Sequence, residues 1–167
     1  MNTLLEATCD QAGAAPIRRQ TNPPHRILVV DDDPYICHLS ADVLIRHGYE
    51  VNAAEDGAAG WGELQANNYN LLITEYDLPK LTGVGLVRKL RAARMALPVV
   101  MAAGTLLTRK LARNPSLQLA ATLLKPFSVD VLLDTVRNVL RATDRRREQI
   151  AEPTIWQSQP STGSWQL

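Results

Sequence analysis

Cysteine is scarce in this chain. There are two, Cys9 and Cys37, far apart and in different contexts, and neither sits in a CxxC or a Cys/His array. A structural zinc site therefore lacks its ligands, and a reduced chain is expected. Charge excess is also missing. The 18 basic and 17 acidic residues leave a formal net charge of +1, which gives no global pull toward nucleic acid or an anionic membrane. No stretch approaches the roughly 18 consecutive apolar residues of a membrane span. The first residues, MNTLLEATCDQAGAAP, have no basic n-region or long apolar run, and carry Glu6 and Asp10 where a signal peptide would be apolar or basic. These absences predict a soluble cytoplasmic protein with no membrane or nucleic-acid partner.

What is present suits one domain of ordinary size with tails: 167 residues, 46% of them apolar. Residues 1–25 are small, polar and proline-containing, and predict a disordered lead-in. From Arg26 strand and helix signals alternate. Ile27–Val30 reads as a strand buried on both faces. Asp33 and Pro34 then open a helix to about His47, with Ile36, Leu39, Val43 and Leu44 inward and Gly48 as its stop. Tyr49–Ala54 is a second strand. Asp56 caps a helix with Ala59, Trp61 and Leu64 on its apolar side. Leu71–Thr74 is a third strand, followed by a helix from Gly83 to about Ala93 with Val84, Val87 and Leu90 inward. Pro98 introduces a strand over Val99–Ala102. A helix over about Thr105–Arg113 stops at Asn114-Pro115, and Thr122–Leu124 is a fifth strand. Val129, Leu132, Leu133, Val136, Val139 and Leu140 make a 3.6-period stripe on a last helix that frays near Arg147. Residues 143–167 predict a flexible tail.

Five strands alternating with five helices predict a parallel sheet covered on both faces, with its functional crevice at the C-terminal ends of the strands. The strand-tip residues are Asp31, Asp32, Glu75, Ala103 and Lys125. Crowded carboxylates repel and call for a cation, for which Mg²⁺ with oxygen ligands is the natural choice. A lysine beside them adds positive charge of the kind that stabilises a transferring phosphoryl group.

The segments ILVVDDDP, LLITEYDLPKLTG, LPVVMAAG and LLKPF, in this order and spacing, make residues 26–142 resemble a receiver domain of bacterial response regulators. The resemblance implies a flavodoxin-like fold of strand order 2-1-3-4-5. It also implies a part in two-component phosphorelay signalling, with a histidine kinase as phosphodonor and Mg²⁺ as cofactor. On it, Asp31 and Asp32 match the acidic metal-binding pair, and Asp77 falls where metal is held through a backbone carbonyl. Lys125 matches the phosphoryl-contacting lysine, followed by Pro126, usually joined by a cis bond. Three positions depart from the family pattern. Glu75 stands at the phosphoacceptor aspartate, Ala103 at the Ser/Thr that grips the phosphoryl group, and Thr122 at the aromatic switch. Glutamate is one methylene longer, about 1.5 Å, and misplacement of a reacting group by about 1 Å can cost about a hundredfold in rate.

The reading that follows is a stand-alone, degenerate receiver: not an enzyme, but a module that works by protein–protein contact in a phosphorylation-independent state, with Mg²⁺ binding weakened or lost. Its partner would be a histidine kinase or another signalling protein. The resemblance points to the face of the fourth helix, fifth strand and fifth helix, with Arg109, Lys110 and Arg113, and leaves homodimerisation open. Two alternatives remain. One is a receiver that still accepts a phosphoryl group, at Glu75 or Asp77, with Thr105 as a substitute hydroxyl. The other is a Mg²⁺-dependent phosphohydrolase on a similar fold, which leaves LLKPF unexplained. His25, His38 and His47 have no context for phosphotransfer. Arg145–Arg147 reads as a solvated helix end. Trp156 and Trp165 in the polar tail suggest a short docking segment.

Overall fold

The computed structural model describes residues 24–112 and 114–151. Five strands form one parallel sheet in the order β2-β1-β3-β4-β5: β1 (Arg26–Val30), β2 (Glu50–Ala54), β3 (Leu71–Glu75), β4 (Val99–Ala103) and β5 (Ala121–Leu124). Between and after them run α1 (Pro34–Arg46), α2 (Gly57–Ala66), α3 (Gly83–Ala92), α4 (Thr105–Ala112) and α5 (Val129–Ala151), with a 3-10 turn at Pro115–Leu117. This is the doubly wound flavodoxin-like architecture expected from the alternation of signals.

Strand side chains alternate between two cores, as the period of two requires. Leu28, Val30, Leu72, Val99, Met101 and Ala103 face one layer, packed against Leu64 of α2, Leu86, Val87 and Leu90 of α3 and Leu111 of α4. Ile27, Val29, Leu71, Ile73, Val100, Ala102 and Leu123 face the other, packed against Cys37 and Leu44 of α1 and Leu132, Leu133, Val136, Val139 and Leu140 of α5. Fully burying each such leucine or isoleucine is worth about 1.5–3 kcal/mol.

The helix starts follow local chemistry. Asp33 accepts from the N–H groups of Tyr35 and Ile36, with Pro34 in the first turn of α1. Asp56 accepts from the Ala59 N–H at 2.7 Å. Thr82, which the sequence reading passed over, accepts from the Gly85 N–H at 3.1 Å and caps α3. Gly48 ends α1 at φ +88°, in the left-handed region that costs glycine little.

The inward faces differ from expectation in places. On α1 the buried residues are Cys37, Ser40, Ala41 and Leu44, while Leu39 is 43% exposed. Small residues let α1 lie close on the sheet, which rotates the larger Leu39 outward. On α2, Gly57 and Gly60 share the buried face with Leu64, and Ala59 is exposed; a Cβ at Gly60 would crowd Val30. On α3, Leu86 joins Val87 and Leu90 inside, and Val84 is half-buried. Val129 is 44% exposed. The last helix runs on to Ala151, past the expected fraying point at Arg147.

Candidate functional site

The top of the sheet collects the ends of β1, β3, β4 and β5. Asp31 follows β1 and is 6% exposed. Its N–H donates to the Ala54 carbonyl at 3.2 Å, which ties the β1 tip to β2. Its Oδ1 accepts from the Asp33 N–H at 3.1 Å. Its Oδ2 accepts from Lys125 Nζ at 2.9 Å. Glu75, the last residue of β3, pairs in register with Ala102 of β4. Its Oε2 also meets Lys125 Nζ in an ion pair. One ammonium therefore bridges two carboxylates, each largely withdrawn from water, with side chains 8% exposed at Asp31 and 13% at Glu75.

Lys125 is held by its own backbone. Its N–H donates to the Ala103 carbonyl at 2.9 Å, continuing the β4–β5 ladder by one bond, and the Lys125–Pro126 peptide is cis. Ala103 is fully buried and offers no hydroxyl to the site. A hydroxyl at the β4 tip that carried no sequence signal belongs to Thr108, which donates to the carbonyls of Gly104 at 3.1 Å and Ala103 at 3.4 Å. It turns back into its own helix, so a Thr five residues past the end of β4 gave no signal. Thr105 opens α4 and is exposed, and Thr122 is half-buried on β5 opposite Met101.

The loop between β3 and α3 is clamped from several sides. Gly83 N–H donates to the Tyr76 carbonyl at 3.0 Å and Tyr76 N–H to the Ala102 carbonyl at 2.9 Å. A Cβ at Gly83 would overlap the Glu75 carbonyl oxygen, and one at Gly57 would overlap the Leu81 carbonyl oxygen, so both glycines permit close backbone approach. Lys80 adopts φ +62° and its Nζ donates to Asp56 Oδ2 at 2.6 Å. That hydrogen bond is the main reason the Asp56 carboxyl lies below its usual range and the Lys80 ammonium above its own. Beneath the site, Cys37 sits 1% exposed with Sγ toward the carbonyls of Val29 and Ala54, and burial pushes its thiol pKa up.

Asp31, Glu75 and Lys125 are thus brought together, with Ala103 on the neighbouring strand accepting from the Lys125 N–H. Asp32 and Asp77 are exposed. As arranged, the Asp31 and Glu75 carboxylates are turned onto Lys125 rather than onto a shared ion position. Both Asp31 oxygens already accept hydrogen bonds and Glu75 Oε2 is on the lysine. Among the described residues, no three His, Cys, Asp or Glu side chains converge as metal ligands. Arg113 lies outside the described residues, as do the side chains of Arg109 and Lys110 and both tail tryptophans, Trp156 and Trp165.

The family model described as "Response regulator receiver domain" matches residues 27–137. The chain belongs to this family. Among curated relatives, the sensor histidine kinase RcsC of Salmonella typhimurium is 31% identical over 116 residues, 70% of this chain and 12% of that protein. Protein PetR of Rhodobacter capsulatus is 35% identical over 122 residues, 72% of this chain and 50% of that one. This receiver therefore spans about half or less of the curated relatives it matches. Among solved structures, the receiver domain of the Francisella response regulator 1452 is similar with a TM-score of 0.67 and 26% identity, covering 71% of this chain and 98% of that one. NtrX from Brucella abortus is similar with a TM-score of 0.71 and 26% identity, covering 76% of this chain and 29% of that one. Receiver domains are signalling domains of two-component systems that interact with histidine kinases and other signalling proteins. No helix among the described residues is long and apolar enough to cross a membrane.

Proposed function

We propose that this receiver works by protein–protein contact in one fixed, phosphorylation-independent state. The observation that carries the reading is the Lys125 ammonium held against both Asp31 and Glu75. A carboxylate at the β3 tip must be free and aligned to attack a phosphorus centre in line. Glu75 is a methylene too long for the family's aspartate, and one of its oxygens is tied to Lys125. At the β4 tip, Ala103 supplies no hydroxyl to hold a phosphoryl oxygen, and Thr122 has no aromatic ring to reorient. The lysine charge offsets one of the two carboxylates and engages an oxygen of each, so binding of Mg²⁺ by Asp31, Asp32 and the Asp77 carbonyl is weak or absent.

On this reading the protein is not an enzyme. It acts in the cytoplasm, with a histidine kinase or another signalling protein as its partner. The face of α4, β5 and α5 suits such a contact: Leu106 is 77% exposed and Leu124 47%, beside the sequence positions of Arg109, Lys110 and Arg113.

Intact-mass measurement after incubation with Mg²⁺ and acetyl phosphate tests the proposal, with wild type and Glu75→Asp run in parallel. The expected result is an unmodified wild type and a variant that gains one phosphoryl mass. A wild type that gains the mass overturns the reading and makes this a phosphorylatable receiver. If neither is modified, the loss extends beyond Glu75 to positions such as Ala103, and contact with a partner remains the function.

A further inference from the structure

At the opposite end of the sheet from the Asp31–Glu75–Lys125 cluster lies a groove of about 890 Å³. It runs between α5, from Thr135 to Ile150, and the two loops that enter β4 and β5. Leu97, Pro98, Leu119 and Val139 give it an apolar lining, and Arg146 and Arg147 stand on its α5 wall. Among the described residues no carboxylate lines it. A third arginine, Arg91, is already committed, since its N–H groups donate to the carbonyls of Met95, Leu97, Leu117 and Gln118. Ile150, in the last turn of α5, sits on the rim and is 85% exposed.

We propose that residues 152–167 of this same chain fold back into this groove and seat Trp156 there. Three observations favour this occupant. The first is where the described chain ends: α5 finishes at Ala151, one residue past the rim residue Ile150. The second is reach. The α5 wall of the groove, from Thr135 to Ile150, is about 22 Å long, and the five residues from Ala151 to Trp156 span up to ~18 Å when extended. The third is chemical complementarity. Residues 152–167 carry one charged side chain, Glu152, which is negative and opposes Arg146 and Arg147, and the adjacent apolar pair Ile155-Trp156 matches the lining. A tryptophan can bury about 150–250 Å² of surface, and its ring is a good partner for a guanidinium. The Asn138 and Gln118 side chains, both in the lining, offer acceptors for the indole N–H.

The test uses the full chain with Trp61→Phe and Trp165→Phe, which leaves Trp156 as the one indole. Its emission and its quenching by acrylamide are read from low to high protein concentration. The expected result is emission shifted to the blue and weaker quenching than in the urea-unfolded protein, both independent of concentration. Two further variants should each abolish the shift: Ala142→Phe, which fills the groove from an exposed helix position, and the charge reversal Arg146→Glu with Arg147→Glu. Water-like emission in the parent overturns the proposal. So does a blue shift that grows with concentration, which assigns the groove to a second copy. A shift that survives both variants places Trp156 elsewhere and also overturns it.

Discussion

Asp31 and Lys125 stand 94 positions apart in the sequence and meet at 2.9 Å above the sheet. β1 and β5, the strands that deliver them, are separated by β3 and β4, a gap of about 14 Å at ordinary strand spacing. The long lysine stem and the turn after β5 close that gap, and Glu75, from a strand in between, joins the same ammonium.

Lys125→Met removes the charge between two poorly hydrated carboxylates. A stranded buried charge is costly, and partial exposure of the lysine (30%) moderates the effect. The expected loss is about 1–3 kcal/mol, measured as a lower urea midpoint. Adding Glu75→Gln should restore a large part of it. A double variant as unstable as Lys125→Met alone would contradict repulsion between Asp31 and Glu75 as the cause.

Gly83→Ala places a methyl group on the Glu75 carbonyl. The loop has little room to retreat, because Tyr76 and Lys80 are both anchored. Overpacking of this kind costs about 1–3 kcal/mol. NMR shifts should concentrate at Glu75, Tyr76 and Lys125. A variant with wild-type stability and unshifted Lys125 resonances would show that the loop gives way freely.

Arg91→Met leaves four carbonyls of two loops without their donor. Burial already lowers the Arg91 pKa from its ordinary value, a sign that the cation is partly desolvated. The expected destabilisation is about 2–4 kcal/mol, with faster amide exchange at Leu117 and Gln118. Unchanged exchange there would mean the loops are held by other contacts.

The Lys80–Asp56 pair has a definite pH signature. The folded Asp56 pKa lies below its ordinary 3.8, so its contribution is complete above that value and fades as pH falls through the folded pKa. The folded Lys80 pKa lies above its ordinary 10.5, so that contribution is complete below 10.5 and fades as pH rises through the folded pKa. The Tm difference between wild type and Lys80→Met should therefore hold level between these limits and shrink beyond each. A difference that varies across neutral pH would point to another titrating group.

Much of this architecture was legible because a few residues act locally. Asp33-Pro34 and Asp56 start helices through their own backbones, and Gly48 stops one. The short aliphatic strands allow a parallel sheet, whose strand tips then nominate Asp31, Glu75 and Lys125. Tertiary fit hid the rest. Leu39 satisfies the helical period as well as Cys37 or Ala41 does, and close packing of α1 on the sheet decided between them. The Lys80–Asp56 bond depends on a left-handed turn at a lysine, which no pattern foretells. The end of α5 was misplaced because a change to polar composition looked like the end of the helix. Arginine, glutamate and glutamine are good helix formers and carried it further.

The length of α5 has a mechanical consequence. At 23 residues it is a rod of about 34 Å, against about 17 Å for the five-residue strands it lies along. Its buried stripe, Leu132 to Leu140, fixes it against the sheet, and the turns from Arg141 to Ala151 run on as a continuous extension of that rod. A tilt of about 5° about that stripe would swing the Ile150 end by about 2 Å, so a small repacking of the core becomes a larger displacement at the end of the helix.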